Sequence, residues 1–396
     1  MELPLNNQNN IAAIKCADYS FSTVRDAVST AAKNQLQAAR IIPSGGTILV
    51  KPNLLSPRLP EKCVTTNPAV VEAVVELCFE VGAKRVWVGD SCAGEHSDDK
   101  LWEKTGMKEV SERTGAGLKS FKSDVKPWPV KDIKVPVPSW LDEIDAWISV
   151  PKLKTHDLTV MTCAVKNSYG LVSGIAKSHF HAKNPSPAAM SRFINDIHDT
   201  FPPALVVVDA VQTMEGHGPA NGEIRYTGLV LAGHSSYAVD TVCTLLLNEK
   251  ILQVPHLKLA AASGKQSIID SAKPIGNGID LLHQKPLKSS AGRFLQRIPD
   301  PLFHVATRVL ARRPAINPNE CKVCGLCAEI CSQQAISKAT HHGKNLYRID
   351  PKKCITCMCC SETCPYKAIM TSFSEKIRST ASRLFRNLSS FLKYPA

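Results

Sequence analysis

The chain has 396 residues, 44% hydrophobic and 21% charged, enough for two or three domains and too apolar and too weakly charged to be mostly disordered. Its formal charge of +13 suits an acidic ligand, an acidic redox partner, a membrane surface or nucleic acid, and selects none of them. Aromatic residues are 6% and do not cluster, so no nucleic-acid partner is expected. Residues 1–10 are polar, without a basic segment followed by an apolar run, and no stretch approaches 18 apolar residues. Neither a signal peptide nor a membrane span is expected, and the expected location is the cytoplasm.

In chain order, residues 11–16 read as a short strand and 22–37 as a helix, with Val24, Ala27, Val28 and Ala31 on one side. Gly45-Gly46 breaks the chain before a buried strand, 47–50, which runs into Lys51-Pro52-Asn53. Thr66 or Asn67 can cap the next helix, Pro68 suits its first turn and Gly82 ends it; 85–88 is the following strand. This is a βαβ spacing with a right-handed crossover expected. Residues 101–114 look helical in two pieces, and 117–138 read as short strands or an extended excursion. Residues 146–150 form another buried strand. Residues 157–186 are polar with little periodicity. After a helix over 188–200, residues 204–209 form the clearest interior strand, followed by a strand at 226–232 and helices at 235–248 and 255–262. The alternation predicts a three-layer α/β domain over 11–265 with a mixed or mainly parallel sheet. In such sheets ligands sit at the carboxyl ends of the strands, where Lys51/Asn53, Asp90/Ser91, Lys152/Lys154/His156 and Asp209 fall.

Residues 266–319 are basic and proline-interrupted, and read as a linker with short helices, one of them over 301–312. Residues 374–394 have an amphipathic pattern with Ile377, Ala381, Leu384 and Leu388 beside Arg378, Arg383 and Arg386. As a helix, the segment 373–396 could dock on its own protein or give peripheral membrane contact.

Nine of the fifteen cysteines lie between 321 and 364. They form C-x2-C-x2-C-x3-C twice: Cys321, Cys324, Cys327, Cys331, then Cys354, Cys357, Cys360, Cys364 followed by Pro365. Zinc sites usually come as paired C-x2-C knuckles, and disulfides are not expected in a chain without a secretory signal. Over 320–372 the segment resembles the bacterial-type 2[4Fe-4S] ferredoxin domain, a small α+β module. The resemblance implies two [4Fe-4S] clusters, with the fourth cysteine of each run ligating the other cluster. Cys321, Cys324, Cys327 and Cys364 then hold one, and Cys354, Cys357, Cys360 and Cys331 the other. It also implies low-potential electron transfer, at about −400 mV. Two oxidised cubanes of roughly −2 each leave the protein at about +9. Cys331 is followed by Ser332 rather than proline. Cys359 is a fifth cysteine in the second run, either a spare buried thiol or an alternative ligand. The other six cysteines lack ligand spacing and, with the clusters, imply a reducing compartment. The residues between the motifs, 335–350, predict a small hairpin.

Over about 45–250 the chain resembles the family described as domain of unknown function 362. The matching residues are Val50-Lys51-Pro52-Asn53, Thr66-Asn67-Pro68, Val88-Gly89-Asp90-Ser91, Pro151-Lys152-Leu153-Lys154-Thr155-His156, Lys166-Asn167-Ser168-Tyr169-Gly170, Val208-Asp209-Ala210, Met214-Glu215-Gly216-His217-Gly218-Pro219 and Ala238-Val239-Asp240. The resemblance implies an α/β fold often fused to ferredoxin modules, and no particular substrate.

Lys51, Lys152, Lys154 and Lys166 would hold an anion if they converge, with Asn53 and Asn167 beside them. His156, Asp209 and Glu215 are candidates for proton transfer, although a lone histidine often only makes a structural hydrogen bond and a strand-end Asp often only caps a helix. His179-x-His181 permits a metal reading, against a plain polar loop. The glycine-rich loop Gly216–Gly222 is neither G-x-G-x-x-G nor Walker A, so no dinucleotide or ATP site is expected. The expected protein is a ferredoxin-linked oxidoreductase passing electrons to or from a small anionic substrate. The alternative is a non-enzymatic electron carrier or assembly factor docking on a redox partner protein or a membrane.

Overall fold

The computed structural model describes residues 9–372 except 39–40, 93–95, 175, 248–249, 290–312, 332, 342–343 and 356. The tail, and the helix expected over 301–312, lie outside the described residues.

Among the described residues, twelve strands precede the ferredoxin module: β1 Asn10–Lys15, β2 Thr47–Pro52, β3 Arg85–Val88, β4 Gly117–Leu118, β5 Val125–Val130, β6 Ile133–Pro138, β7 Ala146–Val150, β8 Lys152–His156, β9 Val160–Thr162, β10 Leu205–Glu215, β11 Glu223–Gly233 and β12 Lys273–Ile275. The main sheet runs β12-β1-β11-β10-β7-β2-β3-β4, with β8 on β10 and β9 on β8. The stretch from β10 through β7, β2 and β3 to β4 is parallel, whereas β1/β11 and β10/β11 are antiparallel. The sheet is therefore mixed, and its parallel half is the βαβ part legible in the sequence.

The strands are apolar on both faces because helices cover both. Alternation sends Ile48 and Val50 to one face and Leu49 to the other; Val207 likewise opposes Val206 and Val208. The helices Phe21–Ala38 and Pro68–Glu80 cover the first face with Val24, Val28, Val70, Val71 and Val74. Asn67 caps the second of these by accepting the Ala69 amide at 3.0 Å, with Pro68 in its first turn. The helices Pro187–Thr200 and Ser236–Leu247 cover the opposite face with Met190, Ile194, Val239 and Val242. The β5/β6 hairpin closes a third core around Trp87, Phe121, Trp140 and Trp147.

The structure completes or changes the reading of three segments. Residues 157–186, which show little periodicity in sequence, are ordered by β9 and the helices Ala164–Asn167 and Ala176–Lys183. These pieces are shorter than three helical turns, too short to show a period. Residues 266–287 are not linker but part of the α/β body. β12 extends the sheet beside β1, and Ile269, Leu282 and Leu287 are buried in its core. The strand expected at 204–209 continues to Glu215 as β10 and pairs with β11 as a long hairpin.

The module has β13 Arg313–Ile316 paired antiparallel with β16 Ile369–Ser372, and the expected hairpin as β14 Ile336–His341 and β15 Lys344–Ile349. No helix among the described residues is long and apolar enough to cross a membrane.

Candidate functional site

The cysteine runs close around two separate hollows. One is lined by Cys321, Cys324, Cys327 and Cys364, the other by Cys331, Cys354, Cys357 and Cys360. The last cysteine of each run thus crosses to the other run's hollow, carried there by the short helices Leu326–Glu329 and Cys359–Thr363. Gly325 and Met358 follow the second cysteine of their runs, and both adopt positive φ, 88° and 65°, where the loop turns back on itself. The walls are otherwise apolar, with Val323, Leu326 and Ile369 in the first hollow and Ile336 and Ile349 in the second.

The sulfurs also crowd one another electrostatically. Burial, then Cys324, Cys364 and Cys321, push the Cys327 thiol up to about 12. Burial, then Cys357 and Cys354, push Cys360 well above the usual range. Four crowded thiols in an apolar wall are relieved when each sulfur binds a cation. Among the described residues no three His, Cys, Asp or Glu side chains are grouped to hold a metal ion, His179 and His181 included. A cubane asks for a wider arrangement, since each thiolate takes its own iron. Donor set, crossed grouping and apolar walls fit two [4Fe-4S] clusters. The Cys331 sulfur also accepts the Ala335 amide at 3.3 Å, a contact of the kind that tunes cluster potential. Cys359 is buried at the edge of the second hollow, its thiol directed to the Cys357 carbonyl at 3.9 Å.

The module sits on the carboxyl-end side of the main sheet. Arg58, in the loop after β2, donates to the Ala220 carbonyl at 3.3 Å and the Cys364 carbonyl at 3.1 Å. Asn221, in the β10/β11 loop, donates to the Ser361 carbonyl at 2.9 Å. His156, ending β8, has Nε2 3.7 Å from Glu362 Oε1. Gly218 lies so close to Thr155 that a Cβ there would overlap the Thr155 carbonyl, which brings the glycine-rich loop onto β8.

The four expected lysines do not act as one set. Lys51 pairs with Asp90 at 2.7 Å and donates to Asn167 Oδ1 at 3.2 Å, while Asn167 donates to the Ser149 hydroxyl at 2.9 Å. Lys152 pairs with Asp209 at 2.9 Å and donates to the Tyr19 hydroxyl at 2.7 Å. Tyr19 in turn donates to Asp209 Oδ1, and the Asn67 amide donates to Oδ2. These are internally compensated, buried ion pairs that fix loops to strand ends. Asp209, expected to move protons, has both oxygens occupied there. Glu215 accepts the Lys288 amide at 2.9 Å and faces Arg225, so it anchors the chain after residue 286. Asn53 is tied through its backbone to Thr66, and its side-chain oxygen has no hydrogen-bond donor among the described residues.

Lys154 and Lys166 differ. Lys154 is fully buried, donates to the Val64 carbonyl at 2.6 Å, and forms no ion pair among the described residues. Burial, then the charge of Lys166, holds its pKa well below the usual lysine range. Lys166 reaches the Thr162 hydroxyl at 3.5 Å. Burial lowers it to about 8 against the opposing pull of Glu362 and Cys359. His156 accepts the Leu158 and Thr159 amides on Nδ1, at 3.0 and 3.3 Å, so the proton of the neutral ring sits on Nε2 and points at the module. Burial, then Lys166, keeps that ring neutral. Burial, then Lys166, also holds His181 at about 4, and its Nδ1 has no hydrogen-bond partner among the described residues. Burial raises Glu362 to about 7. The sequence reading missed Arg58, Tyr169, His181 and Glu362 as members of this group, because nothing in the sequence says which surface the module meets.

Fold and site together define an iron–sulfur electron-transfer protein in which a two-cluster ferredoxin module is docked on an α/β domain. The model of the family described as domain of unknown function (DUF362) matches residues 48–245, half of the chain, and that of a 4Fe-4S dicluster domain matches 320–368. The chain belongs to the DUF362 family. It is 27% identical over 252 residues to a thylakoid-associated protein of Synechocystis sp., covering 63% of this chain and 77% of that one. Among solved structures, it is similar to a lactate racemase apoprotein from Thermoanaerobacterium thermosaccharolyticum. That match has 11% identity and a TM-score of 0.39, over 56% of this chain and 54% of that one. A Thermotoga maritima protein matches at 12% identity and a TM-score of 0.33, over 52% and 55%.

Proposed function

We propose that the protein is an oxidoreductase whose clusters exchange single electrons with a small anionic ligand held between the module and the strand ends. The observation that carries this reading is Lys154, a fully buried lysine that forms no ion pair among the described residues, so that a bound anion is what would hold its amine in the charged form. It lies beside a second cation, Lys166, on the side facing the second cysteine run. Buried charges need compensation, and Glu362 provides one negative charge for the two lysines. When bound, the clusters supply low-potential single electrons. Lys154 and Lys166 hold the ligand, the His156 Nε2–H donates to it, and the docked module excludes water. The free cysteines of the α/β domain support a reducing compartment such as the cytoplasm.

The test is calorimetric titration of the iron-loaded protein with inorganic phosphate, sulfate and formate. Saturable binding of one of them, lost in Lys154→Met at unchanged iron content, is the expected result. No binding of any of the three to the wild type would overturn the ligand.

A second reading is favoured by the name of the Synechocystis relative, association with a thylakoid membrane. On it the protein is an electron carrier that docks peripherally on a membrane, with its basic net charge meeting anionic lipid. Co-sedimentation with anionic but not neutral vesicles would support it.

A further inference from the structure

We infer that anion occupancy at Lys154 and Lys166 and reduction of the adjacent cluster oppose each other, so that the site holds its anion when the clusters are oxidised and releases it when they gain an electron. This rests on the anion site proposed above and says how that site is regulated.

The argument is one of shared charge. His156, two residues beyond Lys154 on β8, has Nε2 3.7 Å from Glu362, which lies between the ligands Cys360 and Cys364, and Lys166 and Tyr169 lie within electrostatic reach of Glu362 and Cys359. On the other flank Arg58 binds the carbonyl of the ligand Cys364 and feels its thiolate. The proposed anion site and Arg58 therefore both lie against the segment that carries the ligands Cys360 and Cys364. One electron, taken from a low-potential donor at the exposed side of the module where Cys324 is open to solvent, adds one negative charge to a cluster and its thiolates. No bond to the anion forms or breaks, and the anion leaves with its charge. In a buried, poorly screened setting the added charge draws on Lys166 and repels the anion across it. Asp90 and Asp209 do not buffer this, because they are committed to Lys51 and Lys152, which leaves Glu362 as the carboxylate facing the site.

The coupling is reciprocal: whatever factor reduction takes from anion affinity, the anion takes from the reduction equilibrium. Couplings of this kind are typically about 5- to 150-fold. A factor of about tenfold corresponds to about 59 mV for one electron.

The experiment is an EPR-monitored electrochemical titration of the iron-loaded protein in chloride buffer, without and with saturating inorganic phosphate. It is paired with phosphate affinity measured on the oxidised and the electrochemically reduced protein. Electrochemical poise avoids introducing sulfite from dithionite. The expected result is a lower potential for one cluster with phosphate, and affinity weaker in the reduced protein by the matching factor. Both effects should vanish in Lys154→Met and in Lys166→Gln, each checked for full iron and sulfide. Equal phosphate affinity in both states with unmoved potentials overturns the inference and leaves the anion site standing. No phosphate binding in either state removes the proposed site and the inference together.

Discussion

Arg58 donates through its guanidinium to the main-chain carbonyl of Cys364 at 3.1 Å, joining the loop after the second strand to a cluster ligand 306 residues further along the chain. The same side chain binds the Ala220 carbonyl at 3.3 Å, so it clamps the glycine-rich loop and the module together. Charged hydrogen bonds of this kind contribute about 1.5–3 kcal/mol. Arg58→Ala is expected to weaken docking by an amount of that order. Hydrogen exchange should quicken at the amides of 359–364 while those of 47–52 stay protected.

The two compensated lysine pairs are expected to matter for stability rather than for ligand binding. Removing one partner of a buried pair costs about 3–5 kcal/mol, because the other charge is stranded. Lys51→Met should lower the anaerobic denaturation midpoint accordingly, and Lys51→Met combined with Asp90→Leu should recover much of the loss. Recovery in the double variant is the check, since a packing defect alone would not reverse.

Acid should destabilise the α/β domain before its carboxylates titrate. Burial holds His198 at about 4, and it lies 2.9 Å from the Ser168 hydroxyl. Unfolded, it takes a proton near its usual value of about 6.5. The unfolded state therefore binds more protons between those values, and stability falls as pH drops from about 6.5 to about 4. For His198 alone the loss is about 3 kcal/mol. His198→Gln should flatten this part of the stability–pH profile, measured by denaturant unfolding at stepped pH.

The crossed ligand sets give an unambiguous substitution pattern. Cys331→Ala is expected to damage the cluster of Cys354, Cys357 and Cys360, not that of its own run. Iron should fall from about eight to about four per chain, and the spin-coupled EPR signal should collapse to that of one isolated cluster. Cys359→Ser should keep the full iron content, because that thiol points at a carbonyl rather than completing a set of four.

Several features were legible because they depend on short-range chemistry. The cysteine spacing predicts two clusters with exchanged fourth ligands, and both hollows are lined in that way. Runs such as Leu205–Val208 read as interior strands, since both faces of that part of the sheet are covered. Residues 266–287 were less legible, because β12 has three residues and owes its place to pairing with β1. The helix Ala164–Asn167, which carries Lys166, has four residues and is held by Asp240, which accepts the Ala164 and Val165 amides at 2.8 and 3.1 Å from a partner 76 positions away in sequence.

The sequence by itself determined that the chain has an α/β body, that its carboxyl-terminal module binds iron–sulfur clusters, and how eight cysteines divide between the two hollows. It also brought four lysines to strand ends or the loops beyond, but it could not sort them. Tertiary structure alone decided that Lys51 and Lys152 are neutralised by Asp90 and Asp209, while Lys154 forms no ion pair among the described residues and Lys166 faces Glu362 beneath the module. The physical reason is that a lysine's role depends on which charge lies within a few ångströms once water is excluded. Those partners come from loops and from a second domain hundreds of residues away, at no fixed spacing along the chain.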